Sequence, residues 1–298
     1  MKSLKRSNNG LQIFFMLLPL LVLFSMFCLY PLLYSVYYSF TSYDGIMPAT
    51  FVGIGNYVRM LGDTTWWGTV LNTFQFTVMA YIIQVPISLF LAVLVNNNSK
   101  ISSFFRTIFF LPNVTSTAII GIIFFFMFSS YNGIVNGVLQ TSGAISRPIE
   151  WLANPALAKW IIILLNSWSN VGFFMTLFLS AIQKIPLELY ESATLDGAGR
   201  SAQFWRITLP LIGNMFPVIT MMVILNAFQL FDSVKVLTGG GPGSSTSVMA
   251  LYIYNLFFNS TGAQQGYASA LSVAATAITA FVGFLYYAIT NRQFGKND

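Results

Sequence analysis

The side chains able to do chemistry are few in this sequence, and they gather in two places. There is no histidine and a single cysteine, Cys28. That removes the commonest zinc ligand and general base, and it forbids an internal disulfide. No His-Glu-x-x-His or Gly-x-Ser-x-Gly pattern occurs, so neither catalytic residues nor a metal site are expected. The first gathering is the polar stretch Ile185–Pro210. It holds Glu188, Glu191 and Asp196, three of the eight acidic residues, together with Arg200, Arg206 and the turn-forming Gly197 and Gly199. The second is a set of amides, hydroxyls and aromatic rings inside apolar sequence. It comprises Asn166, Ser167, Trp168, Ser169, Asn170 and Phe173, then Asn226, Phe228 and Gln229, with Asp232 just beyond. Such groups suit the passage of a hydrogen-bonding solute. They equally suit polar glue between helices.

The elements that must hold these groups are membrane helices. Hydrophobic residues make up 56% of the 298 and charged residues 7%, where a soluble domain carries about 25% charged. No Asp, Glu, Lys or Arg occurs in Ser7–Tyr43, Thr64–Ser99, Thr107–Ser146, Trp160–Gln183, Ile207–Phe231 or Val236–Asn291. A helix needs about 20 apolar residues to cross the hydrocarbon core, so each interval has room for one crossing. The pattern predicts an all-α integral membrane protein of one domain over residues 1–298. Its spans are expected at 11–38, 70–95, 104–128, 159–182, 211–231 and 267–289. The first apolar stretch is too long for a signal peptide and ends in Tyr34, Tyr37, Tyr38 and Phe40, an aromatic belt. Cys28 falls mid-span as a packing residue. Pro19, Pro31, Pro86, Pro112 and Pro217 are expected to kink their spans.

Charge sets the orientation. Lys2, Lys5, Arg6, Lys100, Arg106, Lys184, Arg200, Arg206, Arg292 and Lys296 share one side, and Arg59, Arg147, Lys159 and Lys235 the other. Positive charge favours the cytoplasmic side. Both termini and the 185–210 loop are therefore expected in the cytoplasm. The basic residues sit at span ends and form no patch, so nucleic acid is not an expected partner.

Within the loop, Pro186 suits the first position of a helix, and Glu188 and Glu191 suit its positive end. Leu187, Tyr190 and Thr194, with Leu195 beside them, make one modest apolar face. Gly197 and Gly199 permit a stop and a sharp turn. A second helical stretch, Ser201–Leu209, then leads to Pro210. Pattern alone leaves open whether this helix–elbow–helix meets another protein or lies on lipid.

Glu191-Ser-Ala193, Asp196-Gly197-Ala198 and Ile207-Thr-Leu209-Pro210 together resemble the cytoplasmic "EAA" loop of permease subunits in bacterial binding-protein-dependent ABC importers. Ser192 stands where the first alanine is usual. Thr238-Gly239-Gly240-Gly241-Pro242, Leu71-Asn72-Thr73, Pro148-Ile149-Glu150-Trp151-Leu152 and Gly266-Tyr267-Ala268-Ser269-Ala270 are similar to the carbohydrate-uptake branch, relatives of the maltose permease. The resemblance implies a type I importer transmembrane domain in the bacterial cytoplasmic membrane. It implies a second, different permease chain, two ATPase subunits and an extracytoplasmic solute-binding protein as partners. ATP and Mg would reside on the ATPases and no cofactor on this chain, which lacks the Gly-x-x-x-x-Gly-Lys-Ser/Thr loop. The coupling residues implied are Glu191, Ala193, Leu195, Asp196, Gly197, Ile207 and Pro210. The substrate path implied is Asn166, Trp168, Asn170, Phe173, Asn226 and Gln229, with Ala227 and Leu230 standing where the maltose permease has asparagines.

The expected cargo is a sugar or oligosaccharide; a polyol or glycerol phosphate is the alternative. An ion-coupled secondary transporter fits less well, because the spans lack ionisable groups and no inverted repeat is visible.

Overall fold

The computed structural model describes residues 10–96, 99–259 and 264–294 and is almost wholly helical. Lys2, Lys5, Arg6 and Lys296 lie outside the described residues. Four helical stretches are long and apolar enough to cross a membrane: Ile13–Ser39, Thr64–Leu94, Pro155–Ile182 and Gln265–Thr290. Two bent pairs, Lys100–Val114 with Thr117–Met127 and Arg200–Leu211 with Met215–Phe228, bring the number to six if each pair is one span. Contacts divide the chain into two compact units, residues 1–63 with 253–276 and residues 64–252 with 277–298.

The first unit begins with α1 (Gly10–Phe24), a π-helical turn (Ser25–Leu29) and α2 (Tyr30–Ser39). Pro31 explains the widened turn. Proline has no N–H to give the carbonyl four residues back and its ring clashes there, so the preceding turn opens by one residue. Cys28 lies in this turn and is exposed. Two short strands follow, β1 (Thr41–Ser42) and β2 (Thr50–Phe51), paired antiparallel with Thr41 opposite Phe51. Helix α3 (Gly55–Gly62) is pinned beneath them: Asn56 Nδ2 donates to the Ser39 and Thr41 carbonyls at 2.9 and 2.8 Å.

The second unit carries α4 (Thr64–Leu94), α5 (Lys100–Val114), α6 (Thr117–Met127), α7 (Ile134–Thr141), α8 (Pro155–Ile182), α9 (Leu187–Leu195), α10 (Arg200–Gln203), α11 (Leu209–Leu211), α12 (Met215–Phe228) and α13 (Asp232–Leu237). Two further helices, α14 (Met249–Phe258) and α15 (Gln265–Phe294), complete the chain. Helix α8 starts four residues before the expected span because Asn154 caps it, its Oδ1 accepting from the Ala156 and Leu157 amides, with Pro155 at the first position. The core of this unit is α4 against α8, with Phe76, Ile162, Leu165, Phe174 and Phe178 fully buried.

Two expected spans are broken. The third, expected unbroken over 104–128, bends by 96° between α5 and α6. Thr115 and Ser116 take extended backbone there, three residues past Pro112. The fifth, expected from Leu211, starts only at Met215 after a 74° bend. Gly213 makes that turn possible: a Cβ on it would stand 2.9 Å from the Pro210 carbonyl oxygen. Pro217 sits in the first turn of α12, where a missing N–H costs nothing, so it does not kink the helix.

Close backbone approach fixes α5 on α8. A Cβ on Gly172 would lie 1.8 Å from the Phe109 carbonyl oxygen. Gly172→Val should therefore abolish folded protein, whereas Gly68→Ala, in open space on α4, should keep or raise stability by up to ~1 kcal/mol. Thermal unfolding followed by size-exclusion profiles in detergent checks both; equal losses would refute the packing.

Candidate functional site

The 185–210 loop folds as a helix, an elbow and a second helix. Pro186 caps α9 from outside rather than occupying its first position, so Glu188 falls in the first turn and Glu191 in the second. The helix ends in a Schellman motif. The Ala198 amide donates to the Ala193 carbonyl at 2.8 Å and the Gly197 amide to that of Thr194 at 3.0 Å. Gly197 has φ +81°, the left-handed region in which a side chain costs roughly 1–2 kcal/mol.

The apolar face expected for this helix splits in two. Tyr190 and Thr194 turn toward the returning chain. Tyr190 Oη and Thr208 Oγ1 are hydrogen-bonded at 2.9 Å. Gln203 Nε2 donates to Thr194 Oγ1 at 2.9 Å, and more weakly to the Ala198 and Tyr190 carbonyls at 3.3 and 3.4 Å. Gln203 is thus the staple of the elbow, and the sequence showed it only as one polar residue among several. On the outward face stand Leu187, Glu191 and Leu195, one turn apart, with Leu195 89% exposed. Asp196 and Pro210 are also exposed, and Ala193 and Ile207 are half-buried. A second π-helical turn, Phe204–Thr208, precedes Pro210 as the first precedes Pro31, and for the same reason.

The residues expected along the substrate path separate into groups. Asn166, Asn170 and Phe173 are half-buried at i, i+4 and i+7, one stripe of α8. Asn170 Nδ2 donates to the Asn166 carbonyl at 2.8 Å. Asn166 Oδ1 accepts from Gln84 Nε2 on α4 at 2.8 Å. Gln84 is only 1% exposed. It is an isolated amide in a charge-free span, the same signal that singled out Asn166. Seven residues before Asn166, Lys159 Nζ donates to Asn72 Oδ1 at 2.9 Å and Gln75 Oε1 at 2.7 Å. Trp168 points away from this stripe and lies against Phe124, ring centroids 5.8 Å apart. On α12, Asn226 is exposed and its amide donates back to the Met222 carbonyl at 3.1 Å. Gln229 is exposed at the end of that helix, and Ala227 and Leu230 are buried.

The loop motifs act as clamps. Asn72 Nδ2 donates to the Ser247 and Ser244 carbonyls at 2.9 and 3.3 Å, and Thr73 Oγ1 accepts from the Met249 amide at 3.3 Å. Asn136 holds both ends of its loop, accepting from the Ile149 amide and Trp151 Nε1 and donating to the Ser129 and Ile149 carbonyls. The glycine cluster closes on itself through Thr238 and Thr246, whose hydroxyls lie 2.7 Å apart.

Removing the staple, Gln203→Leu, should raise amide hydrogen exchange across 190–203 and leave α4 and α8 protected. Exchange followed by mass spectrometry reads this; unchanged rates at the elbow would deny Gln203 the role.

Comparison with known proteins agrees with this architecture. The chain is 37% identical over 279 residues to the lactose transport system permease protein LacF of Rhizobium radiobacter, covering 92% of this chain and 93% of that one. It is 30% identical over 284 residues to the trehalose/maltose transport system permease protein MalF of Thermococcus litoralis, covering 95% and 93%. In fold it matches a chain from the crystal structure of a bacterial alginate ABC transporter in complex with an alginate pentasaccharide-bound periplasmic protein. That match has TM-score 0.82 and 24% identity, and covers 94% of each chain. Residues 84–294 match the model of the family described as binding-protein-dependent transport system inner membrane component. The chain therefore belongs to the family of inner membrane components of binding-protein-dependent transport systems.

Proposed function

We propose that this chain is a permease subunit of an ATP-driven importer that carries a sugar or oligosaccharide into the cytoplasm. One observation carries the coupling half of that reading. The rigid elbow displays Leu187, Glu191 and Leu195 outward on α9 while Gln203 and Thr208 lock the inner face. An exposed apolar pair around a carboxylate, held on a stapled helix, suits the cleft of a basic protein partner better than bulk water. The partner is an ATPase subunit: two of them, a second permease and an extracytoplasmic binding protein complete the machine. ATP and Mg belong to the ATPases, and this chain is non-catalytic. The charge bias supports a cytoplasmic loop and cytoplasmic termini in the bacterial inner membrane.

The cargo half rests on α8. Asn166 and Asn170 are each pinned by one end, and Phe173 lies a turn further on the same stripe. Amides beside an aromatic face match the hydroxyls and apolar ring face of a saccharide. The names of the lactose and trehalose/maltose relatives point to the same class. Gln84 positions Asn166, while Trp168 sits off the path against Phe124. A polyol has the same hydroxyl chemistry and is the second reading.

In reconstituted vesicles, Glu191→Lys should insert normally but lose most substrate-stimulated ATP hydrolysis, and Gly197→Val should do the same through elbow strain. Wild-type stimulation in both variants would defeat the coupling assignment. Asn170→Leu should cut uptake at least tenfold, about 1.4 kcal/mol, with unchanged affinity of the cognate binding protein for its ligand. Calorimetry of that binding protein against lactose, maltose, trehalose and mannitol identifies the cargo; binding of none of them would count against the sugar reading.

A further inference from the structure

The short helix α3 and the two strands before it make an apolar plate at one end of the first span. Ile54, Val58 and Leu61 fall at i, i+4 and i+7, and all three are more than half exposed. Phe51, Ile46 and Met47 beside them are more exposed than buried. The opposite face of α3 is fully occupied. Asn56 donates to Ser39 and Thr41, Tyr57 Oη donates to Ser39 Oγ at 2.8 Å, and the Tyr57 ring packs on Phe40.

The charges of this segment all turn away from the apolar face. Arg59 lies 4.0 Å over the Tyr267 ring and donates to Gln264 Oε1. Asp63 accepts from Tyr267 Oη at 2.7 Å. Asp44 accepts from the Ile46 and Met47 amides, and these bonds hold its carboxyl below the usual carboxylate range.

Depth follows from the same hydrogen bonds. The helical run Gly10–Ser39 is 30 residues, 15 and 5 and 10 in its three parts, hence about 45 Å long. The hydrocarbon core is ~30 Å thick, so the last turns of the run reach the headgroups. Tyr34, Tyr38 and Tyr43 stack there at 4.2 and 4.6 Å, the amphipathic rings that favour the interface. Because α3 is bonded directly to Ser39 and Thr41, it lies at that depth too.

We infer that α3 and its hairpin form a membrane-surface plate, with Ile54, Val58, Leu61 and Phe51 immersed at the headgroup–acyl boundary of the leaflet where the first span exits. The plate fixes the depth of that span end, so the first span enters the membrane with one end anchored.

The test uses the full-length chain with its copurified subunits in nanodiscs of phosphatidylethanolamine and phosphatidylglycerol. In a Cys28→Ser background, Ile54→Cys, Val58→Cys, Leu61→Cys and Phe51→Cys each take a nitroxide. Accessibility to oxygen and to a water-soluble nickel chelate is then compared with that of Leu33→Cys, in the span, and Ser142→Cys, on an exposed loop. Immersion predicts that all four labels meet oxygen as Leu33→Cys does and lose access to nickel. Nickel access equal to that of Ser142→Cys would overturn the proposal. Protection from both reagents would also overturn it, assigning the face to another protein chain. The result is independent of the cargo and of the coupling loop.

Discussion

A polar side chain inside a bilayer must find a partner, because no water is there to replace one, and the seam between α4 and α8 is where this chain meets that demand. The two helices run parallel and are bonded at three levels: Lys159 to Asn72 and Gln75, Gln84 to Asn166, and Ser88 Oγ to the Val171 carbonyl at 3.0 Å. Phe76, Ile162, Leu165 and Phe174 fill the space between. Glue and path are therefore the same residues seen from two sides. The Gln84–Asn166 bond holds helices together and, by pinning Asn166, decides which end of that amide remains to meet a solute.

Packing on the far side of α8 depends on small residues. Gly172 admits the α5 backbone, and α6 meets α13 at Gly121, where a Cβ would stand 2.9 Å from Val236 Cγ1. Between helices in lipid, apolar surface gains little by burial, so close approach and dispersion carry the association. This is why bends of 96° and 74° are tolerated. The helices are held by local fit, and a span broken into two pieces loses little if each piece is seated.

Proline acts at a distance of a few residues on both sides of the molecule's functional argument. Pro31 and Pro210 each follow a π-helical turn, whereas Pro86 lies within an uninterrupted α-helix. The turn before Pro210 rotates everything that follows relative to the elbow, so the coupling helix and α12 are set at an angle that an ordinary α-turn would change. Gly197 and Gly213 mark the other two places where the chain changes direction. A push on α9 thus reaches α12 through a short path with few adjustable bonds.

What the amino-acid order determined by itself is what depends on near neighbours. Charge-free lengths located the spans, Gly197 located the elbow, and the run Glu191 to Pro210 identified the loop, because helix stops and left-handed turns are set within a few residues. Only the tertiary structure decided which polar groups pair. Gln84 and Asn166 are 82 positions apart, Asn72 and Ser247 are 175, and Arg59 and Gln264 are 205. It also parted Trp168 from the Asn166 stripe, split the expected face of α9 into a stapled and a displayed half, and bent two spans that looked continuous. Periodicity tells which side chains share a face. What that face meets is a property of segments far away in the chain, and the low dielectric of the membrane makes that meeting decisive.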